Sequence, residues 1–242
     1  MTVELTLARP RRSVADLQAI VAEGQARFTD ETHPVEVMQW LGEKLGVERI
    51  AVAVSFSDGV MACLGAKSLP GVDLLFGDTG YHFAETLGVR DAVESIYPVN
   101  VKSLQPELTV AQQDEQYGEN LWESDPDLCC AMRKTAPMDA ALRNYDAWAT
   151  GLRRADHTGR QDIPMISWDE KHQIIKINPI VAFSNEQIDA CIEEYGMLEN
   201  PLRQIGYRSI GCEPCTRAVL PGEDERAGRW SGRNKVECGI HL

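Results

Sequence analysis

The residues Ile50-Ala51-Val52-Ala53-Val54-Ser55-Phe56 form an almost unbroken apolar run that ends at a polar loop, Ser57-Asp58-Gly59. Such a run is typical of a strand buried on both faces of a parallel sheet, because a solvated face would require alternating polar residues. A helical pattern follows in residues 60–67, and a second strand-like run lies in residues 72–76. This alternation predicts an α/β protein with a doubly wound, mostly parallel sheet flanked by helices.

The same reading extends to both ends of the chain. Amphipathic helices are predicted in residues 13–28, 34–45, 81–97, 127–143 and 184–195, and further strands in residues 99–104, 147–153 and 173–177. The 242 residues are expected to form one domain, 1–242. It would have N-terminal helices in about 1–47, an α/β core in about 48–200 and a loop-rich C-terminal extension in about 201–242.

Composition narrows the class of protein. No apolar stretch is long enough to span a membrane, and residues 1–13 lack the apolar core of a signal peptide, so we expect a cytoplasmic protein. In a reducing compartment the seven cysteines favour metal binding or catalysis over a disulfide framework. A net charge of −13 argues against nucleic-acid binding. Most lysines and arginines lie in the second half of the chain, where an anion would be handled.

Polar loops follow the first two predicted strands, where ligands of such sheets bind. The first contains Ser55 and Ser57, and the second is Asp78-Thr79-Gly80. Hydroxyls and free backbone N–H groups at a helix start can cradle a phosphate, although each loop could also simply cap a helix or turn the chain. Because both loops lie at the same edge of the sheet, together they favour a nucleotide site.

Four cysteines occur as two close pairs, Cys129-Cys130 in a helical stretch and Cys212-Glu213-Pro214-Cys215 in a loop. Four thiolates suit zinc or an iron–sulfur cluster. Adjacent cysteines diverge by roughly 100° on a helix, so they reach a large cubane cluster more easily than a single zinc ion. Four buried cysteines without metal remain the alternative.

Lys134 lies four residues after Cys130, which places both side chains on one helix face. A cation there would offset the charge of a thiolate-ligated cluster and face a bound anion, or it is an ordinary solvated lysine.

The chain ends in Glu237-Cys238-Gly239-Ile240-His241-Leu242, with Arg226, Arg229, Arg233 and Lys235 before it. Neighbouring cations stabilise a thiolate, the nucleophilic form of cysteine, so Cys238 is a candidate nucleophile; a stray surface cysteine on a basic tail is the alternative. Cys63 and Cys191 occupy apolar positions of predicted helices and are expected to pack in the core.

Five motifs together resemble one family, the assimilatory adenylylsulfate reductases, which are the cluster-containing branch of the phosphoadenylylsulfate reductases. They are Cys-Cys-x-x-Arg-Lys at 129–134, Thr-Gly-Leu-Arg-Arg at 150–154, Ile-Gly-Cys-x-Pro-Cys-Thr at 210–216, Arg-x-Gly-Arg-Trp at 226–230 and Lys-x-Glu-Cys-Gly-Ile-His at 235–241. The resemblance runs from about residue 50 to the C-terminus. It implies an adenine nucleotide alpha hydrolase-like fold.

The resemblance also implies an activity, the thioredoxin-dependent reduction of adenosine 5′-phosphosulfate (APS) to sulfite and AMP through an S-sulfocysteine at Cys238. The partners would be APS and thioredoxin or a similar dithiol protein, with no nucleic acid or membrane, and the chain could be a homo-oligomer. One 4Fe–4S cluster per chain, which does not itself pass electrons, would be held by Cys129, Cys130, Cys212 and Cys215. The phosphosulfate would be bound by Lys134, Arg226, Arg229 and His241, and the nucleotide site would be lined by Arg153 or Arg154.

The chain departs from the family pattern at two strand ends. The loop of residues 55–60 is about one residue short and contains Asp58-Gly59, and Gly77 replaces an apolar residue. A backbone cradle is therefore expected there more than side-chain contacts.

Three other functions compete. The first is the same reaction on the 3′-phosphorylated nucleotide (PAPS), which the paired cysteines disfavour. The second is an ATP-pyrophosphatase-type adenylating or sulfur-inserting enzyme, which would need a Ser-Gly-Gly-x-Asp-Ser loop. The third is a zinc module that binds nucleic acid, which the net charge disfavours.

Overall fold

The computed structural model describes residues 11–156, 158–233, 235, 239 and 240. The chain starts with two helices, α1 (Val14–Arg27) and α2 (Pro34–Leu45), close to their predicted bounds. The hydroxyl of Ser13 caps α1 by accepting from the backbone of Asp16. The apolar side of α1 packs on one end of the sheet, and α2 packs against the helix that follows the first strand.

Six strands form one sheet in the described part of the chain. They are β1 (Ile50–Val54), β2 (Asp73–Gly77), β3 (Asn100–Leu104), β4 (Ala147–Ala149), β5 (Ile166–Asp169) and β6 (Ile174–Ile177). Their spatial order is β3-β2-β1-β4-β6-β5, and among them β5 alone runs antiparallel to its neighbour. The predicted doubly wound, mostly parallel sheet is confirmed.

The apolar run that begins at Ile50 lies in the middle of this sheet, and both of its faces are buried. Val52 belongs to the large core on one face, and Ala51 belongs to a smaller cluster with Trp148 and Leu142 on the other. Both residues are fully buried. A strand that is covered on both sides has no position for a polar side chain, which explains the uninterrupted run.

Helices connect the strands and cover the two faces. They are α3 (Val60–Ser68), α4 (Ala84–Ile96), α5 (Val110–Tyr117), α6 (Leu121–Ser124), α7 (Pro126–Cys130), α8 (Ala136–Leu142) and α9 (Asn185–Tyr195). Short 3-10 turns lie at Val47–Arg49, Arg154–Asp156, Thr158–Arg160, Pro201–Ile205 and Glu213–Cys215. After Asn200 the described residues contain only turns and loops.

The helix predicted over residues 127–143 is divided. A π-helical turn, Ala131–Thr135, separates α7 from α8. Pro137, in the first turn of α8, has no N–H to donate to the carbonyl four residues earlier, so the regular ladder is interrupted there. The predicted strand over residues 147–153 is also shorter, since β4 ends at Ala149. The buried hydroxyl of Thr150, just after it, donates to Asn178 at 2.5 Å.

Three short elements were not predicted, namely α5, α6 and β5. The strand β5 contains only four residues, too few for a clear alternation. In the described residues no helix is long and apolar enough to cross a membrane.

Candidate functional site

A cleft of about 470 Å³ opens at the carboxyl ends of β1 and β4. The chain leaves β1 toward β2 on one side and returns to β4 on the other, so this is the point where the winding of the sheet reverses. Ligands of doubly wound sheets bind at such a point. The cleft lies between the loop after β1, residues 150–153 after β4, and the C-terminal region.

The loop after β1 lines the cleft with Ser55, Ser57 and Asp58. The two serine hydroxyls lie 3.0 Å apart, and Asp58 accepts from the backbone N–H of Val60 at 3.1 Å. A Cβ at Gly59 would collide with the carbonyl oxygen of Leu198. The glycine in this unusual loop is therefore explained by close backbone packing against the segment after α9.

The second predicted loop lies deeper. Asp78 pairs with Arg90 at 3.6 Å, and the hydroxyl of Thr79 lies 3.2 Å from the sulfur of Cys212. Asp78, Thr79 and Gly80 are not among the described residues that line the cleft. Thr79 instead contributes to a second hollow, described below.

Gly77 and His82 do line the cleft at the end of β2. His82 Nε2 donates to the carbonyl of Gly77 at 2.9 Å, and burial lowers the pKa of His82 to about 4. Its imidazole is consequently neutral at physiological pH. His82 was not predicted from the sequence as a residue of the site.

Lys134, Arg226 and Arg229 line the cleft, which brings together cations from the helical segment and from the C-terminal region. Gly211, in the Ile-Gly-Cys motif, leaves room for one of them, because a Cβ there would collide with the guanidinium of Arg229. Arg229 also stacks on the ring of Trp230, with 4.4 Å between the guanidinium carbon and the ring centre.

The two candidates in the Thr-Gly-Leu-Arg-Arg motif diverge. Arg153 lines the cleft and pairs with Asp156 at 2.6 Å. Arg154 points toward the N-terminal helices, where it pairs with Asp30 at 2.5 Å. The structure thus places Arg153, and not Arg154, at the cleft.

In the described part of the chain, three further arginines line the cleft without having been predicted, namely Arg160, Arg203 and Arg208. Arg203 is held by Glu199 at 2.6 Å. Arg208 could have been found from the sequence, because it lies two residues before the Ile-Gly-Cys motif at 210–216.

The second hollow adjoins the cleft and contains the two cysteine pairs. It is lined by Cys129 and Cys130 at the end of α7, and by Cys212 and Cys215 around the last 3-10 turn. The first three cysteines are each less than 9% exposed. Folding therefore brings together four thiols that are distant in sequence, as the sequence analysis anticipated.

Arg133 holds the π-helical turn against the rest of the fold. Its side chain is almost fully buried and donates to the carbonyl of Thr79 at 2.5 Å and to Gln113 at 3.0 Å. The next residue, Lys134, lines both the cleft and the cysteine hollow and hydrogen-bonds to the sulfur of Cys212. Lys134 would therefore connect a ligand in the cleft to the cysteines, as would Arg229, which also lines both.

The electrostatic environment differs among the four thiols. Burial raises the pKa of Cys129 to about 12, and the other three cysteines add to that rise. Burial also acts against ionisation of Cys212, but Lys134, Thr79 and Arg229 outweigh it and lower the pKa of that thiol. A cationic group bound in the hollow would favour the thiolate form of all four.

Two buried N–H donors indicate which kind of ligand the hollow can hold. Arg229 Nε and Trp230 Nε1 both belong to residues of its wall, and neither has a hydrogen-bond acceptor within the described part of the chain. In that part, no three His, Cys, Asp or Glu side chains converge as ligands of one metal ion. Four separated thiols in one hollow, with spare donors on residues of its wall, fit a group larger than one ion that has acceptor atoms of its own.

Cys238 and His241 lie outside the described residues. Their neighbours Gly239 and Ile240 are described, and Ile240 lines the cleft. Cys63 is buried in the main core, and Cys191 is half-buried against it.

The sequence profile of the phosphoadenosine phosphosulfate reductase domain matches residues 49–218. The chain belongs to this reductase family. The matched region of the reductase includes both the sheet and the four paired cysteines.

Several proteins are similar to the reductase over nearly its full length. An adenosine 5′-phosphosulfate reductase of Streptomyces coelicolor is 48% identical, with 98% of this chain and all of that protein covered. The protein of the same name from Mycolicibacterium smegmatis is 47% identical, with 94% and 95% covered.

Solved structures support the fold of the reductase. A phosphoadenylyl-sulfate reductase from Candida auris, in a phosphate complex, superposes with a TM-score of 0.71 at 26% identity, covering 87% of this chain and 100% of the other. An FMN adenylyltransferase from Candida glabrata superposes with a TM-score of 0.52 at 12% identity, covering 93% and 85%. The second likeness concerns the fold alone.

Proposed function

We propose that this reductase converts APS to sulfite and AMP, with electrons from thioredoxin or a similar dithiol protein in the cytoplasm. The observation that carries the proposal is the position of Lys134 and Arg229 in the walls of both the cleft and the cysteine hollow. An anion bound between them would be next to the paired cysteines that distinguish this branch of the family. The relatives named adenosine 5′-phosphosulfate reductase support the same substrate.

The nucleotide would occupy the end of the cleft nearest the sheet. There Ser55 and Ser57 offer hydroxyls, and Gly151 and Leu152 offer backbone groups after β4. Arg153 is fixed at this end by Asp156 and by Asn185, at 2.6 and 2.8 Å. Rigid, already paired side chains can orient a ligand without first losing rotamer entropy.

The phosphosulfate would occupy the end nearest the cysteines, among Lys134, Arg226, Arg229 and His241. A thiolate that attacks an anionic sulfate meets charge repulsion. Preorganised cations reduce this repulsion and stabilise the charge that develops on the departing phosphate. The concentration of arginines around the cleft fits that task in a chain with a net charge of −13.

The four paired cysteines would hold one 4Fe–4S cluster per chain. Such a cluster, when bound, supplies a cross-link between α7 and the Cys212–Cys215 loop and a charge centre beside the anion. The separated thiols support this assignment over a single zinc ion, as do the donors of Arg229 and Trp230, which have no acceptor among the described residues.

In the reaction, the thiolate of Cys238 would attack the sulfur of APS. The bond between sulfur and the bridging oxygen breaks, and AMP leaves with that electron pair. A thiolate of the dithiol protein then attacks the Cys238 sulfur, and sulfite leaves with the pair of the S–S bond. The second thiol of the dithiol resolves the mixed disulfide and restores Cys238.

Turnover with the two nucleotides tests the proposed substrate. We expect kcat/KM for APS to exceed that for PAPS by at least about a hundredfold, because the chain has the paired cysteines of the APS-reducing branch and its relatives are named for APS. Thioredoxin-dependent sulfite release is the measurement. Equal or higher kcat/KM with PAPS would contradict the proposal, as would release of pyrophosphate from ATP, the reaction of an adenylating enzyme.

The three described cations of the anion subsite give a second prediction. Each of three variants, Lys134→Ala, Arg226→Ala and Arg229→Ala, should lower kcat/KM for APS roughly 30- to 150-fold. This corresponds to a loss of about 2–3 kcal/mol of transition-state stabilisation, which is expected if each side chain makes a charged hydrogen bond to phosphosulfate. Arg154→Ala, which removes an arginine that lies away from the cleft, is the matched control. Near-normal kinetics in all three variants would place the anion site elsewhere.

A further inference from the structure

The last described residues of the chain lie against the helices that carry the first cysteine pair. The guanidinium carbon of Arg233 lies 5.1 Å from the ring centre of Trp122 in α6. Two residues later, Lys235 pairs with Asp127 in α7. Residues 233 and 235 therefore contact residues 122 and 127 in the same order along the chain.

The order continues in the residues that follow Cys238. A Cβ placed on Gly239 would lie 3.5 Å from Thr135 Oγ1, at the end of the π-helical turn. Ile240 packs against the small apolar cluster that includes Met138 of α8. Described residues on both sides of Cys238 in the sequence therefore lie along the stretch from α6 to α8.

Arg233 makes more than one contact there. Its Nη1 donates to the carbonyl of Trp122 at 2.5 Å and lies 3.9 Å from the sulfur of Cys215. Its backbone N–H donates to Trp230 at 2.9 Å. A planar guanidinium that stacks and donates at once has a defined orientation, which an ordinary surface charge lacks.

Lys235 is held in a different way. Its side chain is only 7% exposed, whereas that of Asp127 is 84% exposed. The ammonium also lies 5.7 Å from the ring centre of Trp230. Because a buried ammonium is costly without a partner, Asp127 compensates for the burial of Lys235. Asp127 itself is exposed, so replacing its side chain removes little packing.

We propose that Arg233 and Lys235, with their partners Trp122 and Asp127, form a tail anchor that holds the chain just before Cys238 against α6 and α7 and thereby supports attack by Cys238 on the phosphosulfate. This inference rests on the proposed function, and the anchor residues are positioning residues that do not touch the substrate.

The tail anchor has different consequences for the two halves of the reaction. Attack of the Cys238 thiolate on APS requires the sulfur nucleophile to be held against the phosphosulfate, so it depends on the anchor. Release of sulfite requires only that a dithiol protein reach the S-sulfocysteine, so it does not. A residue that merely stabilised the fold would affect both halves alike, and one that merely stabilised the cysteine hollow would lower the amount of bound iron.

Two variants separate these possibilities. Arg233→Gln and Asp127→Asn should each slow AMP release in a single turnover without reductant by about tenfold. Sulfite release from the fully formed adduct, started by adding thioredoxin, should stay within about twofold of the unmodified protein. Arg27→Gln is the matched control, because Arg27 stacks on Phe28 at 5.0 Å far from the site.

A measurement without nucleotide keeps this inference distinct from the proposed function. The rate at which a bulky maleimide labels Cys238, followed by peptide mass, should rise several-fold in both variants and stay unchanged in Arg27→Gln. The labelling difference would support the anchor even if APS were not the substrate. Unchanged labelling and AMP release, equal slowing of both half-reactions, or loss of bound iron would each overturn the proposal.

Discussion

Replacing Cys238 by serine should lower thioredoxin-dependent sulfite formation by at least about 10³-fold, because a serine hydroxyl is a far weaker nucleophile than a thiolate at neutral pH. The variant should also form no covalent sulfonate adduct with APS. Its iron content and its affinity for AMP should stay unchanged, since neither the four paired cysteines nor the nucleotide end of the cleft is altered. Sulfite release, intact mass and iron content measure the three expectations.

Cys191→Ser is the matched control for this prediction. Cys191 is half-buried against the main core on α9, and burial raises the pKa of its thiol, so it should be unreactive. This variant should keep both the adduct and normal turnover. Sulfite formation by Cys238→Ser at more than a trace of the normal rate would assign the nucleophile to another residue.

Replacing Cys130 by serine should remove bound iron and activity together. Serine offers a hard oxygen donor in place of a soft thiolate, and the site is buried, so a cluster with only three thiolates should be lost or unstable. Cys129→Ser, Cys212→Ser and Cys215→Ser should behave in the same way. Iron and sulfide content after anaerobic purification, with the brown colour of the protein, provide the measurement.

Cys63→Ala is the control for the cluster prediction. Cys63 is buried in the main core at the start of α3, so its replacement should lower the free energy of unfolding while leaving iron bound. Full iron and sulfide in one of the four paired-cysteine variants would remove that residue from the ligand set. A colourless protein that contains one zinc ion per chain would contradict the cluster itself.

The architecture was predictable because the main strands are buried on both faces. The run at Ile50 and the run that includes Leu74 contain too few polar residues for any exposed position, and each is followed by a glycine-containing loop. Helix bounds were close where a cap marks them, as at Ser184 before α9, whose hydroxyl accepts from Gln187. The family was recognised from motifs, and the match to residues 49–218 confirms it.

The features that were not predicted depend mainly on tertiary contacts, which leave no pattern in the local sequence. Buried Arg133 in the π-helical turn donates to residues distant in sequence, although Pro137 is a local signal that the helix is interrupted there. Arg153 and Arg154 are adjacent and chemically identical, so only the position of Asp30 and Asp156 decides which one faces the cleft. The capping box at Thr109 would have indicated α5, although the helix itself is too polar to be recognised by its periodicity.

The central claim is that one cysteine takes the sulfonate from APS before any electron donor acts. Unmodified protein mixed with excess APS and no reductant should release one AMP per chain and then stop, with the added mass of one SO₃ group on the C-terminal peptide that contains Cys238. Thioredoxin should then remove that mass as sulfite. AMP release that continues beyond one per chain without reductant, or an adduct on any other cysteine, would contradict the account.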